Sequence, residues 1–558
     1  MIPSGYKEDV VYSQIPTSGA GDLSFTRASN GTRVNSAGLV EVVPWNLAEQ
    51  SETFNVSPWT AINVGITTNA TTAPNGTTTA EKLMVTTANT PHQVQQGFNN
   101  DNANHTVFIY AKKSELNFVQ LALGNSIEQY ANFNLNTGVV GTKGTDCASS
   151  SIESVGNGWY KCSAYFNQGT IPSLMVYVTN SASSNWGGID SFSGANNTDG
   201  IFVWGYQLNI GSTAKPYFPT TDRLNVPRLT YQNGGGGCPS LLLEKQSTNY
   251  LIYNTEIDNA AWVKARSTVT ANATTSPDGT QNADGVFVNS DTNTNHEVFQ
   301  YGTGSTEGWS AFFKANGYNF VYLFGSADPI VWFDLQNGTV GTAQSGASGK
   351  ITNYGNGWYR CEYYKNSGTN SIWGFGIVPS NGVTTIASPD TSKGVYFWGA
   401  QGEAGLYSTS MIYTTSSSAT RVADLATVNL PNTNMTFTAY LELDEASLGT
   451  PAGDWFSIFS NVSALGRAYG YANQFGFADA YSLGVSSGAK MVWKQESGST
   501  AKIFKGGALV GTSTTGTYTD PFNRLRIDGA LLDKSVKIKQ FVFFDNALTD
   551  AECIQLTA

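Results

Sequence analysis

The sequence predicts an all-β protein made of three sandwich domains in a row, and three observations lead there. The first is a duplication. Asn69 to Thr77 reads Asn-Ala-Thr-Thr-Ala-Pro-Asn-Gly-Thr, Asn272 to Thr280 reads Asn-Ala-Thr-Thr-Ser-Pro-Asp-Gly-Thr, and Trp59 and Trp262 each stand ten positions ahead. Self-similarity at a spacing of 203 residues marks a repeated domain rather than a repeated motif. The second is composition: only 13% of the 558 residues are charged, 12% are aromatic and 59 are glycine. Ser, Thr and Asn compete for backbone hydrogen bonds and make poor helices, whereas Thr, Tyr, Phe and Trp suit a pleated surface. The third is alternation: Phe437, Ala439, Leu441 and Leu443 alternate with Thr438, Tyr440 and Glu442, the period of a half-buried strand. A chain of this length exceeds what one core fills, so about three domains are expected.

Taken in order, residues 1–45 form a Gly- and Ser-punctuated leader with two short strand-like runs, Leu23 to Arg27 and Leu39 to Val43. It has little core of its own and needs something to dock on. The first repeat, 46–222, carries strand-like runs at Thr106 to Lys112, Phe133 to Thr142 and Gly200 to Gln207, with a Gly-Trp-Tyr turn at Gly158. Each has a counterpart in the second repeat, 247–422, and the offset drifts from 203 to 194, as when strands are kept while loops change length. The unmatched piece is the repeat 1 loop Asn185 to Gly194. Residues 223–246 read as a connector with a short strand and a run of four glycines from Gly234. The last domain, 423–558, ends in Thr549-Asp-Ala-Glu552, a capping box that starts one short helix.

The same numbers exclude several functions. A net charge of −11 without a basic cluster argues against nucleic acid. Met1 to Tyr12 lacks the apolar stretch of a secretory signal, and no apolar run approaches the roughly 18 residues of a spanning helix; the expectation is a soluble chain with no membrane insertion. Five scattered cysteines suggest neither a disulfide framework nor a metal site, and Cys162 and Cys361, in matching Gly-Asn-Gly-Trp-Tyr-Lys/Arg-Cys stretches, are expected to be buried free thiols. His92, His105 and His296 have no metal-ligand spacing and read as solvated loop residues. No metal or other cofactor is expected. No stretch singles out a pair of carboxylates for glycosidic cleavage, although such pairs meet only in three dimensions, so the reading is of a protein without enzymatic activity.

Three stretches carry a family resemblance. Arg27 to Glu41, Val226-Pro-Arg-Leu-Thr-Tyr231 and Gly237-Cys-Pro-Ser-Leu-Leu-Leu-Glu244 resemble a segment of bacteriophage head-fibre and tail-fibre proteins. The repeated Trp, Pro-Asn/Asp-Gly-Thr and Trp-Gly-x-Gln signatures are similar to those of carbohydrate-binding-module-like jelly rolls, and 423–558 looks like a concanavalin A/laminin-G-type sandwich. The resemblance implies a virion surface protein, commonly a homotrimer, held to capsid or tail proteins by its N-terminal segment. The short leader favours a head fibre. In simpler relatives the leader segment runs almost directly into the Val-Pro-Arg-Leu segment, which implies that residues 1–45 and 223–246 pack together with repeat 1 inserted between them.

A sugar site on a sandwich needs an aromatic platform flanked by amides, carboxylates or Arg. Asn185, Trp186 and Asp190 in the unmatched loop fit that recipe, Trp373 is the candidate in repeat 2, and Arg467 and Tyr469 are candidates in the last domain. The tryptophans that recur in register, Trp59/Trp262, Trp159/Trp358 and Trp204/Trp398, are assigned to shared cores. The expected ligand is a host-surface or environmental polysaccharide, held through avidity. The alternative is a glycan depolymerase with the sandwiches as ancillary modules. The duplicated motif itself reads as a turn with no ligand.

Overall fold

The computed structural model describes the chain from Pro3 to Ala558 apart from residues 8–9, 14–23, 28, 44–45, 98–103, 125–127, 168–172, 187–191, 196, 213, 216, 221–226, 307, 326–328, 366–369, 431, 448–455, 460–465, 472–473, 478–482, 485–487, 498, 515–519 and 532–534. Every named strand pair is antiparallel, and the α-helix at the C-terminus spans Asp550–Thr557. The chain divides into two compact units, Pro44–Arg223 and a second made of Met1–Val43 with Leu224–Ala558.

The first unit is the repeat 1 sandwich. One six-stranded sheet runs, in spatial order, Cys147–Gly156, Trp159–Phe166, His105–Lys113, Gly200–Ile210, Ala80–Val85 and Val64–Thr71. The other runs Val139–Lys143, Tyr130–Asn134, Phe118–Leu123, Ser173–Thr179, His92–Gly97 and Trp59–Ile62. Alternation turns Val107, Ile109, Cys162 and Val203 of one sheet, and Val94, Val119, Leu121, Phe133 and Val176 of the other, into a fully buried core.

Repeat 2, within the second unit, reproduces this strand order in two six-stranded sheets. The copy extends to the backbone. Asn69 and Asn272 share a positive φ, as do Gln50 and Tyr253, Asn63 and Arg266, and Asn157 and Asn356. The duplicated turn is pinned by a duplicated tryptophan: Trp159 Nε1 donates to the Thr72 carbonyl at 3.0 Å, and Trp358 Nε1 to that of Thr275 at 3.1 Å. Gly76 and Gly279 close the two turns at φ +86°, a conformation that disfavours any side chain.

The C-terminal sandwich has two seven-stranded sheets, and residues 423–558 do not build them alone. Ser24–Thr26 of the leader pairs with Leu425–Asn429 at the edge of one sheet. Arg228–Thr230 and Ser240–Glu244 of the connector extend the other through Ser535–Phe544. Phe25, Leu229, Leu241 and Leu243 enter the same core as Phe437, Ala439, Leu441 and Leu443. The last four come from the alternating strand, but its other face is covered too: Tyr440 packs with Val492, Phe504 and Cys553 against the C-terminal helix. That helix starts at Thr549, whose hydroxyl accepts from the Glu552 amide while Glu552 accepts from the Thr549 amide at 2.7 Å.

A buried ionic network ties these pieces together. Arg27 of the leader meets Asp424 at 3.1 Å; Arg228 of the connector meets Glu244 at 2.7 Å and also Asp424; Arg421 lies 3.4 Å from Glu244. None of the five side chains is more than 3% exposed. Burial pushes the Glu244 carboxyl up, but Arg421, Arg228 and bonds from Ser410 outweigh it and hold the group far below the usual range. The leader hairpin Gly31–Val34 and Val40–Val43 then lies on repeat 2, where the Val40 amide donates to the Pro277 carbonyl at 2.9 Å. The second copy of the duplicated turn is thus a docking point for the leader as well as a turn.

Candidate functional site

In each repeat the second sheet has one face in the core and one turned away from it. On Phe118–Leu123 the inward residues are Val119, Leu121 and Leu123, and the other face carries Gln120 and Ala122. Strand register places Tyr177 and Asn132 beside Gln120, Met175 and Tyr130 beside Ala122, and Gln93 beside Tyr177. Trp186 packs on this face against Ala122, Met175, Tyr177 and Tyr130. Its loop is clamped from below by buried amides. Gln120 Nε2 donates to the Asn185 carbonyl at 2.9 Å and to Asn132 Oδ1 at 3.0 Å, and Asn132 Nδ2 donates to the Ser184 carbonyl at 2.6 Å. The Trp186 indole is partly exposed, but its N–H is buried and has no hydrogen-bond partner among the described residues. Asn185 is exposed beside it, and Asp190 lies outside the described residues.

The same positions in repeat 2 carry different chemistry. Register replaces Gln120 with Tyr322, Ala122 with Phe324, Asn132 with Trp332, Met175 with Gly374 and Tyr177 with Gly376. Gln93 and Gln95 become Glu297 and Phe299. Trp332 Nε1 donates to the Val383 carbonyl at 2.6 Å, and the Tyr322 hydroxyl donates to Glu297 at 2.6 Å. Burial, with the Glu297 charge beside it, pushes the Tyr322 hydroxyl up, so it stays a donor at neutral pH. The two glycines make room for the rings: a Cβ on Gly374 would fall 2.6 Å from the Phe299 Cβ, and one on Gly376 would collide with the Tyr322 ring. The result is an aromatic strip. Phe299 and Tyr301 lie edge to face at 5.4 Å, Tyr322 and Phe324 are 6.0 Å apart, and Tyr301 is 65% exposed.

Trp373 is not on that strip. It sits on the same strand as Gly374 but faces inward, 0% exposed among Trp309, Phe375 and Leu251, where repeat 1 has Leu174. It has no face to offer a sugar and is a core residue, not the binding residue expected from the sequence. Arg467 and Tyr469 fall on the strand Gly466–Tyr471 of the C-terminal sandwich, with side chains outside the described residues. The histidines also differ from expectation: all three are buried in or beside strands rather than solvated. His92 Nδ1 lies 2.7 Å from the Asn63 carbonyl, and His296 Nδ1 lies 2.7 Å from that of Arg266, one more duplicated contact. Cys162 and Cys361 are buried free thiols. Of the recurrent tryptophans, Trp59 and Trp262 line the space between sheets, while Trp204 and Trp398 pack on the outside of the first sheet with Trp159 and Trp358.

Sequence reasoning passed over Gln120 and Asn132, the buried amides that hold the Trp186 loop in repeat 1, and Phe299, Tyr301 and Phe324 in repeat 2. A signal was present: where the copies align, inward positions match (Val119/Val321, Leu121/Leu323, Phe133/Phe333) and the positions between them do not.

No family model matches the chain. No curated protein matches it significantly.

Proposed function

We propose that this chain is a structural fibre of a phage particle, a head fibre in preference to a tail fibre, whose sandwich repeats bind host-surface or environmental glycans reversibly and without cleaving them. The observation that carries the binding is the pair of outward sheet faces. One is the partly exposed Trp186 ring with exposed Asn185 beside it, seated on buried amides that bond its loop, the other an aromatic strip floored by Gly374 and Gly376. Aromatic rings stack on the apolar face of a pyranose, and an exposed amide such as that of Asn185 can satisfy a hydroxyl. The placement on a virion rests on the sequence resemblance of the leader and connector. Attachment to capsid or tail proteins is assigned to the N-terminal segment, residues 1–45. Trimerisation would multiply weak contacts into useful avidity.

The test is a glycan array probed with the full chain, with reducing ends assayed on any glycan retained. Retention without release of reducing ends supports the reading. A blank array points to a spacer without ligand, and release of oligosaccharide points to a depolymerase; both overturn it.

A further inference from the structure

The second unit holds a crevice of about 200 Å³ between the leader hairpin, the connector and repeat 2. Its wall contains an unusual cation. Arg360 is 5% exposed, and its guanidinium has only neutral partners: Nε and Nη2 donate to Ser310 Oγ at 3.2 and 2.9 Å, Nη1 donates to the Thr409 carbonyl at 2.7 Å, and Cζ lies 5.5 Å over the Phe312 ring. Among the described residues it forms no ion pair; Glu362 and Glu403 act on it only at longer range. A guanidinium has five N–H donors, so two remain after these bonds. Buried charges are normally paired, and this one faces a cavity.

The charge balance of the wall favours an anion. Arg33, Lys350, Arg360 and Lys537 line it against Glu244 and Glu362, and Arg33 is paired with Glu41 at 3.0 Å. Glu244 is already neutralised from behind by Arg228 and Arg421, and Glu362 is engaged by the Tyr364 hydroxyl with Lys350 at 3.9 Å. The remaining surface suits a sugar ring. Tyr354, edge to face with Phe312 at 4.8 Å, offers a partly exposed aromatic side, and Thr352 and Ser408 offer hydroxyls. The volume is below the few hundred Å³ of sites for larger ligands, which fits one residue rather than an oligosaccharide. Repeat 1 has no guanidinium here: register puts Lys161 at the position of Arg360, and because Phe108 replaces Ser310 the ammonium lies over the Phe108 ring at 4.1 Å.

We infer that this crevice binds a single acidic sugar residue, with its carboxylate on the spare Arg360 donors and Lys350 and its ring against Tyr354. The site is separate from the outward sheet faces and does not depend on them. Saturation-transfer NMR and calorimetry on the full chain, with D-glucuronate as probe and D-glucose and inorganic phosphate as controls, test it. Glucuronate should bind more tightly than either control, and R360K should weaken it about ten-fold because an ammonium cannot reproduce the planar fork. K350Q, at the exposed mouth, should weaken it by a smaller factor; this variant decides the matter if R360K does not fold. Tyr301→Ser, on the outward strip, should leave glucuronate affinity unchanged even if it abolishes glycan retention on the array. Absence of glucuronate binding, equal binding of glucose or phosphate, or indifference to both R360K and K350Q overturns the inference.

Discussion

Repeat 1 and repeat 2 are the same fold wearing different outer faces. Between the sheets, Val119, Leu121 and Phe133 answer to Val321, Leu323 and Phe333, and even left-handed residues recur in register. One position along each strand, Gln120 becomes Tyr322, Asn132 becomes Trp332 and Tyr177 becomes Gly376. Packing constrains inward positions tightly because a core is dense and an error of one methyl group is felt. Outward positions must satisfy only each other, so amide ladder and aromatic strip are both acceptable on the same sheet. What differs between the copies is therefore where distinct binding chemistry has room to arise.

A second contrast concerns how the copies are held. Repeat 1 is a unit by itself, whereas repeat 2 shares its unit with the leader, connector and C-terminal sandwich. The largest effect should come from attacking that difference. Deleting residues 1–43 removes Phe25 and Arg27 and should abolish cooperative unfolding of the second unit while Pro44–Arg223 keeps its transition. Scanning calorimetry distinguishes the two transitions. Asp424→Ala, which strands Arg27 and Arg228, should destabilise the second unit by about 3–5 kcal/mol, and equal loss in both transitions would break the contrast.

The next effect separates the two candidate tryptophans. Trp373→Ala should cost about 3–5 kcal/mol in denaturant unfolding of repeat 2, as for a large core aromatic. Trp186→Ala should cost repeat 1 clearly less, because its ring is partly exposed, and should show instead as lost glycan retention. Equal costs would mean that Trp186 is also a core residue.

A smaller effect is pH dependence. Burial raises the Glu81 carboxyl in repeat 1 to about 7, against a hydrogen bond from the Phe54 amide, and raises Asp284 at the matching position of repeat 2 to about 6. A carboxyl whose folded value exceeds its unfolded one stabilises the fold most when protonated. The contribution is fully present below pH 4.5 for Glu81 and 3.8 for Asp284, and it is lost as pH rises through about 7 and 6 respectively. Repeat 1 should therefore go on losing stability between pH 6 and 7.5 while the Asp284 contribution to repeat 2 is already mostly spent, and Glu81→Gln should flatten the repeat 1 profile.

Much of this architecture was legible in the residues. The duplicated turn, the paired tryptophans, the alternating strand at Phe437 and the capping box at Thr549 are local patterns whose cause lies within a few positions. Three things were not. The pairing of Ser24–Thr26 with Leu425–Asn429 spans some 400 residues, and no local pattern encodes it. Trp373 and Gly374 differ by one position, and that step flips a side chain from core to outer face; aromatic identity alone does not reveal the register. His92 and His296 look like loop residues because Pro91 and Asn295 precede them, yet carbonyls of the preceding strand connection hold them inside.

The central claim is that the outward face of the second sheet, and not the core or the turns, contacts glycan. Its most direct test is to take a glycan retained on the array and measure its affinity by calorimetry for the wild type, for Trp186→Ala with Tyr177→Ala in repeat 1, and for Phe299→Ser with Tyr301→Ser in repeat 2, each checked for an unchanged unfolding transition in the other repeat. The account predicts that at least one face pair loses about ten-fold or more in affinity, since stacked aromatics anchor such sites. Unchanged affinity in both folded variants would contradict it.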